Sequence, residues 1–421
     1  MFSKDQQKEH AVDCEESGRG GAGDGSNRNY LSKCCILQGA RLPLYCFSKI
    51  DSREPRALFL DRLLKEWEER RMRGLFHHDI NACETKILPG EHNFIATLVE
   101  GRDLKKRPTE FRMDEVIQPF DDRKFNFTKV KQDELIFRFE ENENGEAKYF
   151  ENNPMDVSAS PNIVAINVSI CPSFESHSSL CMQEIVVTVS WLQLSPIGYG
   201  HVLLIPRLLD CLPQRIDRES FLLAVYMTRE AGNPYFRMGY NSLGGFATIN
   251  HLHFQGYFLE VSFPIEKAPT QRIATLGSGI SIFELMQYPI RGLVFEGGIA
   301  LQDLSDTVSS VCILLQENDK PYNVLISESG KRIFLLLQCY AKKQALGEVS
   351  QELLETRLNP AAWELSGHLV FKRREDYAKA SEQSIYKFLV EAALSKEQFE
   401  GVKQQILDFL FIGAAKDKIG E

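Results

Sequence analysis

Three side chains with chemical capacity recur at every second position in Asn250-His251-Leu252-His253-Phe254-Gln255-Gly256-Tyr257-Phe258: His251, His253 and Gln255. On an extended chain, alternate residues share a face, so these three line one side while Leu252 and Phe254 point into a core. The dense apolar types and the preceding Gly244-Gly245 turn predict a strand over the whole stretch. A neutral imidazole can attack phosphorus, and a carboxamide N–H can hold a phosphoryl oxygen. From these nine residues three readings stand side by side: a pair of metal ligands, two partly buried histidines, and a nucleophile with its neighbour.

The surrounding chain must position that stretch. Residues 217–231 read as a helix, with Asp217 as N-cap and Gly232-Asn233-Pro234 ending it. Tyr235 to Tyr240 then reads as a strand, and Asn241-Ser242-Leu243-Gly244-Gly245 as the turn facing the histidines. Upstream, Ile163 to Val168 and His201 to Ile205 are strands, residues 40–50 hold one short strand, and Ala57 to Gly74 is an amphipathic helix. Between residues 92 and 140 short strands alternate with turns, with Phe125 to Val130 and Leu135 to Phe139 the clearest strands and Asn142 to Gly145 a hairpin-like turn. The most basic run, Gly101 to Arg112, is either a solvated face or a clamp for phosphate.

Past Pro264, a Lys-, Pro-, Thr- and Gly-rich stretch reads as a linker, and the pattern then recurs. A helix (Gln302 to Gln316) leads to a strand (Asn323 to Ser327), a turn (Glu328-Ser329-Gly330) and a strand (Ile333 to Tyr340). Pro321-Tyr322 matches Pro234-Tyr235, while Gln338 and Tyr340 match Gln255 and Tyr257. His251 and His253 fall on Phe334 and Leu336, so the chain reads as two related halves, one with the histidines and one without. The expected organisation is a disordered tail (1–36), a first half (37–264), a linker (265–280), a second half (281–412) and a short tail (413–421).

Composition narrows the classes. With 421 residues, 43% hydrophobic and 25% charged, the chain is globular and has room for two domain-sized units. Its net charge of −9 argues against a nucleic-acid binder. No apolar run approaches the roughly 18 residues of a membrane span, and Lys4, Asp5, Lys8 and Glu9 leave no hydrophobic core for a secretory signal. Ten scattered cysteines form no CxxC pair, so reduced thiols in the cytosol or nucleus are expected.

Gly200-His201-Val202-Leu203-Leu204-Ile205-Pro206, a helix, Asn241-Ser242-Leu243-Gly244, then His251-Leu252-His253-Phe254-Gln255 resembles the histidine-triad superfamily. Gln255 replaces the third histidine, as in the nucleotidylyl-transferring branch that includes galactose-1-phosphate uridylyltransferase. Ala82 to Lys86, Leu104 to Phe111, Lys124 to Lys129, Leu212 to Arg215, Phe263 to Pro269 and Glu348 to Ser350 are similar to the plant GDP-L-galactose phosphorylase family. The likeness covers about residues 40 to 410.

That resemblance implies an α+β fold of two histidine-triad-like half-domains, antiparallel sheets with packed helices, the second lacking the catalytic histidines. It implies a nucleotidyltransferase that moves GMP from GDP-L-galactose to inorganic phosphate in ascorbate biosynthesis. A covalent guanylyl-histidine on His253 would carry the GMP, giving GDP and L-galactose 1-phosphate, with no metal and no cofactor. His251 would orient, Gln255 would donate to the α-phosphoryl oxygen, and a backbone carbonyl near the first histidine would fix the His253 tautomer. Asn241 and Ser242 are candidates for phosphate or ribose hydroxyls, with Arg107 and Lys129 as further phosphate ligands. GDP-D-glucose phosphorylase activity at the same site is the alternative; the expected partners are a GDP-hexose and phosphate, with neither nucleic acid nor membrane.

Three departures stand out. Residues 170–194, with Cys171, Cys181 and a Val-rich run, intervene where relatives make a tight turn from Asn167-Val168-Ser169 to Ser195-Pro196-Ile197. They read either as a retained intron or as a tolerated surface excursion, and they raise a second alternative, a catalytically impaired regulatory paralogue. Gly198 and Leu337 stand where relatives usually carry an acidic residue and a proline.

Overall fold

The computed structural model describes residues 37, 40–49, 57–76, 83–102, 111–142, 146–155, 160–166, 168–169, 193–194 and 196–417. The N-terminal tail, the basic run from 103 to 110 with Arg107, the 143–145 turn and nearly all of the 170–194 insertion lie outside them.

Seventeen strands are present among the described residues: β1 (Arg41–Phe47), β2 (Glu84–Ile87), β3 (Ile95–Leu98), β4 (Leu135–Glu141), β5 (Lys148–Pro154), β6 (Ile163–Ile166), β7 (Val168–Ser169), β8 (Gln193–Leu194) and β9 (Val202–Ile205). Then come β10 (Phe236–Asn241), β11 (Phe254–Phe258), β12 (Thr270–Thr275), β13 (Ile280–Leu285), β14 (Gly292–Gly297), β15 (Tyr322–Ser327), β16 (Arg332–Leu337) and β17 (His368–Phe371). Twelve of them form one sheet in the order β12-β13-β14-β16-β15-β10-β11-β9-β6-β4-β1-β5, and β17-β3-β2 form a second. Pairing is antiparallel except for β1 with β4 and β17 with β3.

The two halves therefore do not close separate sheets. They meet at an antiparallel seam, where β10 pairs β15 from Met238↔Ile326 to Asn241↔Asn323. On each side of the seam a helix precedes the central strand: α1 (Ala57–Met72) packs on the first half, α2 (Arg218–Ala231) leads to β10 and α3 (Leu301–Glu317) leads to β15. Asp217 accepts from the Ser220 N–H and Gly232 closes α2 at φ +59°, as the cap residues predict. Phe59, Leu63 and Trp67 of α1, Phe221 and Val225 of α2, and Val308 and Val311 of α3 cover one face of the sheet, and Leu252 and Phe254 are buried among them. The opposite face is covered by the second sheet and the short helix Ala362–Leu365, where Tyr257, Trp363, Phe263 and Leu369 share a second core. The histidine stretch lies where the sheet passes between these layers.

Three local expectations are corrected. The strand begins at Phe254, so His251 and His253 belong to the extended segment before it. Phe125 to Val130 is not a strand: Asn126 accepts from the Thr128 N–H and caps a 3-10 turn, Phe127–Lys129, so its polar cap outweighs the apolar alternation. The stretch expected to be a linker carries a short helix, Pro264–Lys267, and the edge strand β12.

Candidate active site

The histidine segment is anchored by its neighbours. Leu252 and Phe254 are fully buried, which holds the chain on both sides of His253 by roughly 1.5–3 kcal/mol each. The His253 Nδ1 sits 2.8 Å from the His251 carbonyl. A carbonyl only accepts, so Nδ1 carries the proton and the Nε2 lone pair is left for chemistry. Burial pushes the His253 imidazole down to about 4, partly offset by that hydrogen bond, so it is neutral at physiological pH.

His251 is oriented from the other side. The Phe127 N–H donates to its Nδ1 at 3.1 Å, which places its proton on Nε2. Phe127 packs against both imidazoles, with ring centroids at 5.3 and 5.1 Å, so the 3-10 turn that was expected to be a strand is the wall of the site. Both Nδ1 atoms are thus engaged by backbone, and among the described residues no group of three or more His, Cys, Asp or Glu is placed to hold a metal ion.

Gln255 is the second residue of β11 and is half-buried. Its Oε1 accepts from the Trp363 indole N–H at 3.4 Å, and His201 hydrogen-bonds the same side chain. The Ile197 N–H donates to His201 Nδ1 at 3.0 Å, so the His201 proton is on Nε2 and faces Gln255 as a donor. Two donors on the oxygen fix which end of the carboxamide is which. Gly239 is opposite Gln255 in the ladder, and a Cβ there would lie 3.0 Å from the Trp363 ring. Burial holds His201 well below the ordinary imidazole range, and the nearby Arg102 guanidinium lowers it further.

The facing turn is bonded into the seam. Ser242 is fully buried, and its Oγ donates to the Tyr322 carbonyl at 2.8 Å and accepts from the Tyr322 N–H at 3.1 Å. The hydroxyl therefore pins the turn to β15 and is not presented to a ligand. Asn241 accepts through Oδ1 from Asn323 Nδ2 at 2.6 Å and the Ala362 N–H at 2.8 Å, which places its oxygen in the seam. Gly245 is required by the same closeness: a Cβ would lie 2.5 Å from the Tyr322 carbonyl. Lys129 is exposed, and its ammonium donates to the carbonyls of Arg123 and Lys124.

Sequence reasoning missed two groups. Gln214 is 2% exposed and hydrogen-bonds the backbone on both sides of the site, to Asn241 and His253. Arg102 follows β3, and its Nε is buried with no hydrogen-bond partner among the described residues; burial lowers its pKa, with Glu364 acting oppositely. The Leu212-to-Arg215 motif flagged the first. The second had only its place at the start of the basic run.

A buried, neutral, tautomer-fixed imidazole beside an oriented carboxamide, on a two-half antiparallel sheet, defines a histidine-triad-like nucleotidyltransferase. The fold is shared with yeast Ap4A phosphorylase in complex with AMP, at a TM-score of 0.51 and 13% identity over 80% of this chain and 96% of that one. The family follows from sequence. The profile of the GDPGP1-like N-terminal domain matches residues 58–184 and 174–257, and that of the GDPGP1-like C-terminal domain matches 264–411. The chain is 55% identical to GDP-L-galactose phosphorylase 1 of Arabidopsis thaliana over 90% of its length and 82% of the relative. It is 27% identical to GDP-D-glucose phosphorylase 1 of Danio rerio, over 84% of this chain and 92% of that one. The chain belongs to the GDPGP1-like family.

Proposed function

We propose that this chain is a GDP-L-galactose phosphorylase, moving GMP from GDP-L-galactose to inorganic phosphate by way of His253. The His253 Nδ1–H to His251 carbonyl bond carries the mechanistic reading. The Nε2 lone pair attacks the α-phosphorus, the bond to the bridging oxygen breaks, and L-galactose 1-phosphate leaves with the electron pair. The resulting imidazolium is cationic, and the His251 carbonyl is placed to stabilise it through Nδ1–H. A phosphate oxygen then attacks the same phosphorus, the P–N bond breaks, GDP leaves and the imidazole returns neutral. Each displacement is easier than the single direct one.

Gln255 offers its N–H pair to the α-phosphoryl oxygens, since Trp363 and His201 donate to its oxygen. The leaving group is a phosphate ester and departs without a proton donor, so a carboxamide serves in place of a third histidine. Arg102, whose guanidinium lies near enough to His201 to lower its pKa, supplies positive charge to the phosphates alongside the roles first assigned to Arg107 and Lys129. Identity of 55% to the plant phosphorylases against 27% to the animal GDP-D-glucose enzymes supports L-galactose as the sugar. The free thiols of Cys46, Cys83, Cys211, Cys312 and Cys339 suit the cytosol or nucleus. The test is phosphate-dependent release of GDP from GDP-L-galactose and from GDP-D-glucose in parallel. A higher kcat/KM for the first is expected; preference for the second would reassign the sugar.

A further inference from the structure

The β10–β11 ladder runs Phe236↔Phe258, Arg237↔Tyr257, Met238↔Gly256, Gly239↔Gln255 and then stops. Carried two positions further, the same register would oppose Asn241 to His253. Those two backbones do not pair. Between them lies the Gln214 carboxamide: its Nε2 donates to the Asn241 carbonyl at 2.9 Å and to the His253 carbonyl at 3.2 Å, and its Oε1 accepts from the His253 N–H at 2.9 Å. A side-chain amide has the same donor and acceptor as a peptide group, so it replaces the missing ladder bonds without letting the strands close.

The wedge is itself held. The Gln214 N–H donates to Asn250 Oδ1 at 2.9 Å, and its carbonyl accepts from the Tyr240 hydroxyl at 3.1 Å. The Leu252 N–H donates to the Leu212 carbonyl at 2.8 Å, so residues 212–214 run beside the histidine segment as a partner chain. The second half fixes that partner: Gln316 accepts from the Ile216 N–H at 2.6 Å and donates back to its carbonyl at 3.1 Å. Asn323, on β15, accepts from Gln338 at 2.7 Å and holds Asn241. The half without the His251–His253 pair is thus hydrogen-bonded to both sides of the wedge.

We propose that Gln214 is the positioning residue of His253, holding the β10–β11 hairpin open so that the His253 imidazole leaves the sheet with Nε2 presented to the α-phosphorus. Gln214 touches no reacting atom; it acts through the His253 backbone. The inference rests on the nucleotidyl transfer proposed above. It predicts that losing the wedge slows attack without weakening nucleotide binding, because a misplacement of about 1 Å costs roughly 100-fold in rate.

The experiment uses the full chain, GDP-L-galactose without phosphate, rapid quenching and intact-mass detection of the GMP adduct. Gln214→Met keeps length and removes every side-chain hydrogen bond. Gln214→Glu presents two acceptors when ionised and a donor with an acceptor when protonated. The expected result is an adduct rate about 100-fold lower in Gln214→Met, with half-saturating nucleotide within about threefold of wild type. Gln214→Glu should recover rate as pH falls from 8 to 5, where wild type is flat. That pH rescue, read on samples whose circular dichroism is unchanged from pH 8 to 5, keeps the test alive if Gln214→Met fails to fold, since at constant fold a purely structural role would not produce it. A wild-type adduct with an equally fast Gln214→Met, or a Gln214→Glu rate that does not rise on acidification, overturns the inference alone. A folded wild-type chain that forms no adduct overturns the transfer reading and this inference with it.

Discussion

The two hairpins that meet at the seam have the same order of elements and end differently. In the second half, β15 and β16 pair along their full length, from Tyr322↔Leu337 to Ser327↔Arg332, joined by the turn Glu328–Gly330. In the first half, β10 and β11 stop pairing at Gly239↔Gln255, and residues 242–253 separate the strands. In the closed hairpin Phe334 and Leu336, paired opposite Leu325 and Asn323, are both fully buried. The open one carries His251 and His253. Opening a hairpin exposes backbone groups that must be satisfied, and here the Gln214 carboxamide and the Asn323 amide, which donates to the Gly245 carbonyl, satisfy them. The half without the His251–His253 pair has the closed arrangement and acts as the support from which the open one is held.

Removing the nucleophile separates the hairpins most strongly. His253→Ala should lower turnover by more than about 10⁴-fold with nucleotide binding retained, as read by steady-state kinetics and calorimetry. Breaking the seam comes next. Asn241→Ala strands the Ala362 N–H and leaves Asn323 Nδ2 with the Gly245 carbonyl alone, at about 1–3 kcal/mol for a buried unpaired group, to be read in urea unfolding.

The histidines in and around the open hairpin should also carry a pH signature. Burial puts His253 at about 4 and His368 at about 3, and holds His201 well down. The acid limb of adduct formation should therefore lie near pH 4 and not near the ordinary histidine value. Stability should follow the same sign: the unfolded chain takes up protons first, so stability is lost as pH falls from about 6.5 through the folded values. Thermal melts from pH 7 to pH 4 measure this.

The smallest effect concerns the insertion. Its flanks are already paired, Val168↔Leu194 and Ser169↔Gln193, as a separate two-stranded sheet. Replacing residues 170–192 by Asn-Gly, a two-residue hairpin turn, should leave both melting temperature and adduct rate unchanged. A large gain in rate would favour the regulatory alternative.

Much of this was legible in the sequence where the signal is local. The caps of α2, the burial of Leu252 and Phe254, and the repeated helix–strand–turn–strand order all follow from spacing. What escaped depends on distant partners. The histidine segment has the alternation of a strand and fails to be one because Gln214, far away in sequence, occupies its ladder position. Ser242 and Lys129 have side chains able to hold phosphate, but type alone does not show that their hydrogen bonds go to Tyr322, Arg123 and Lys124. Asn126 was hidden inside an apolar alternation that its cap overrules. The edge strand β12 reads as a linker because half-exposed Thr-Gln-Arg-Ile-Ala-Thr buries little of its own.

The central claim is that His253 carries GMP. Intact-protein mass spectrometry after mixing the full chain with GDP-L-galactose and no phosphate tests it directly, beside His253→Ala. The account expects a mass gain of one GMP, lost on adding phosphate with release of GDP, and absent from the variant. A wild-type chain that turns over with phosphate but never gains that mass, or a His253→Ala chain that does, would contradict it.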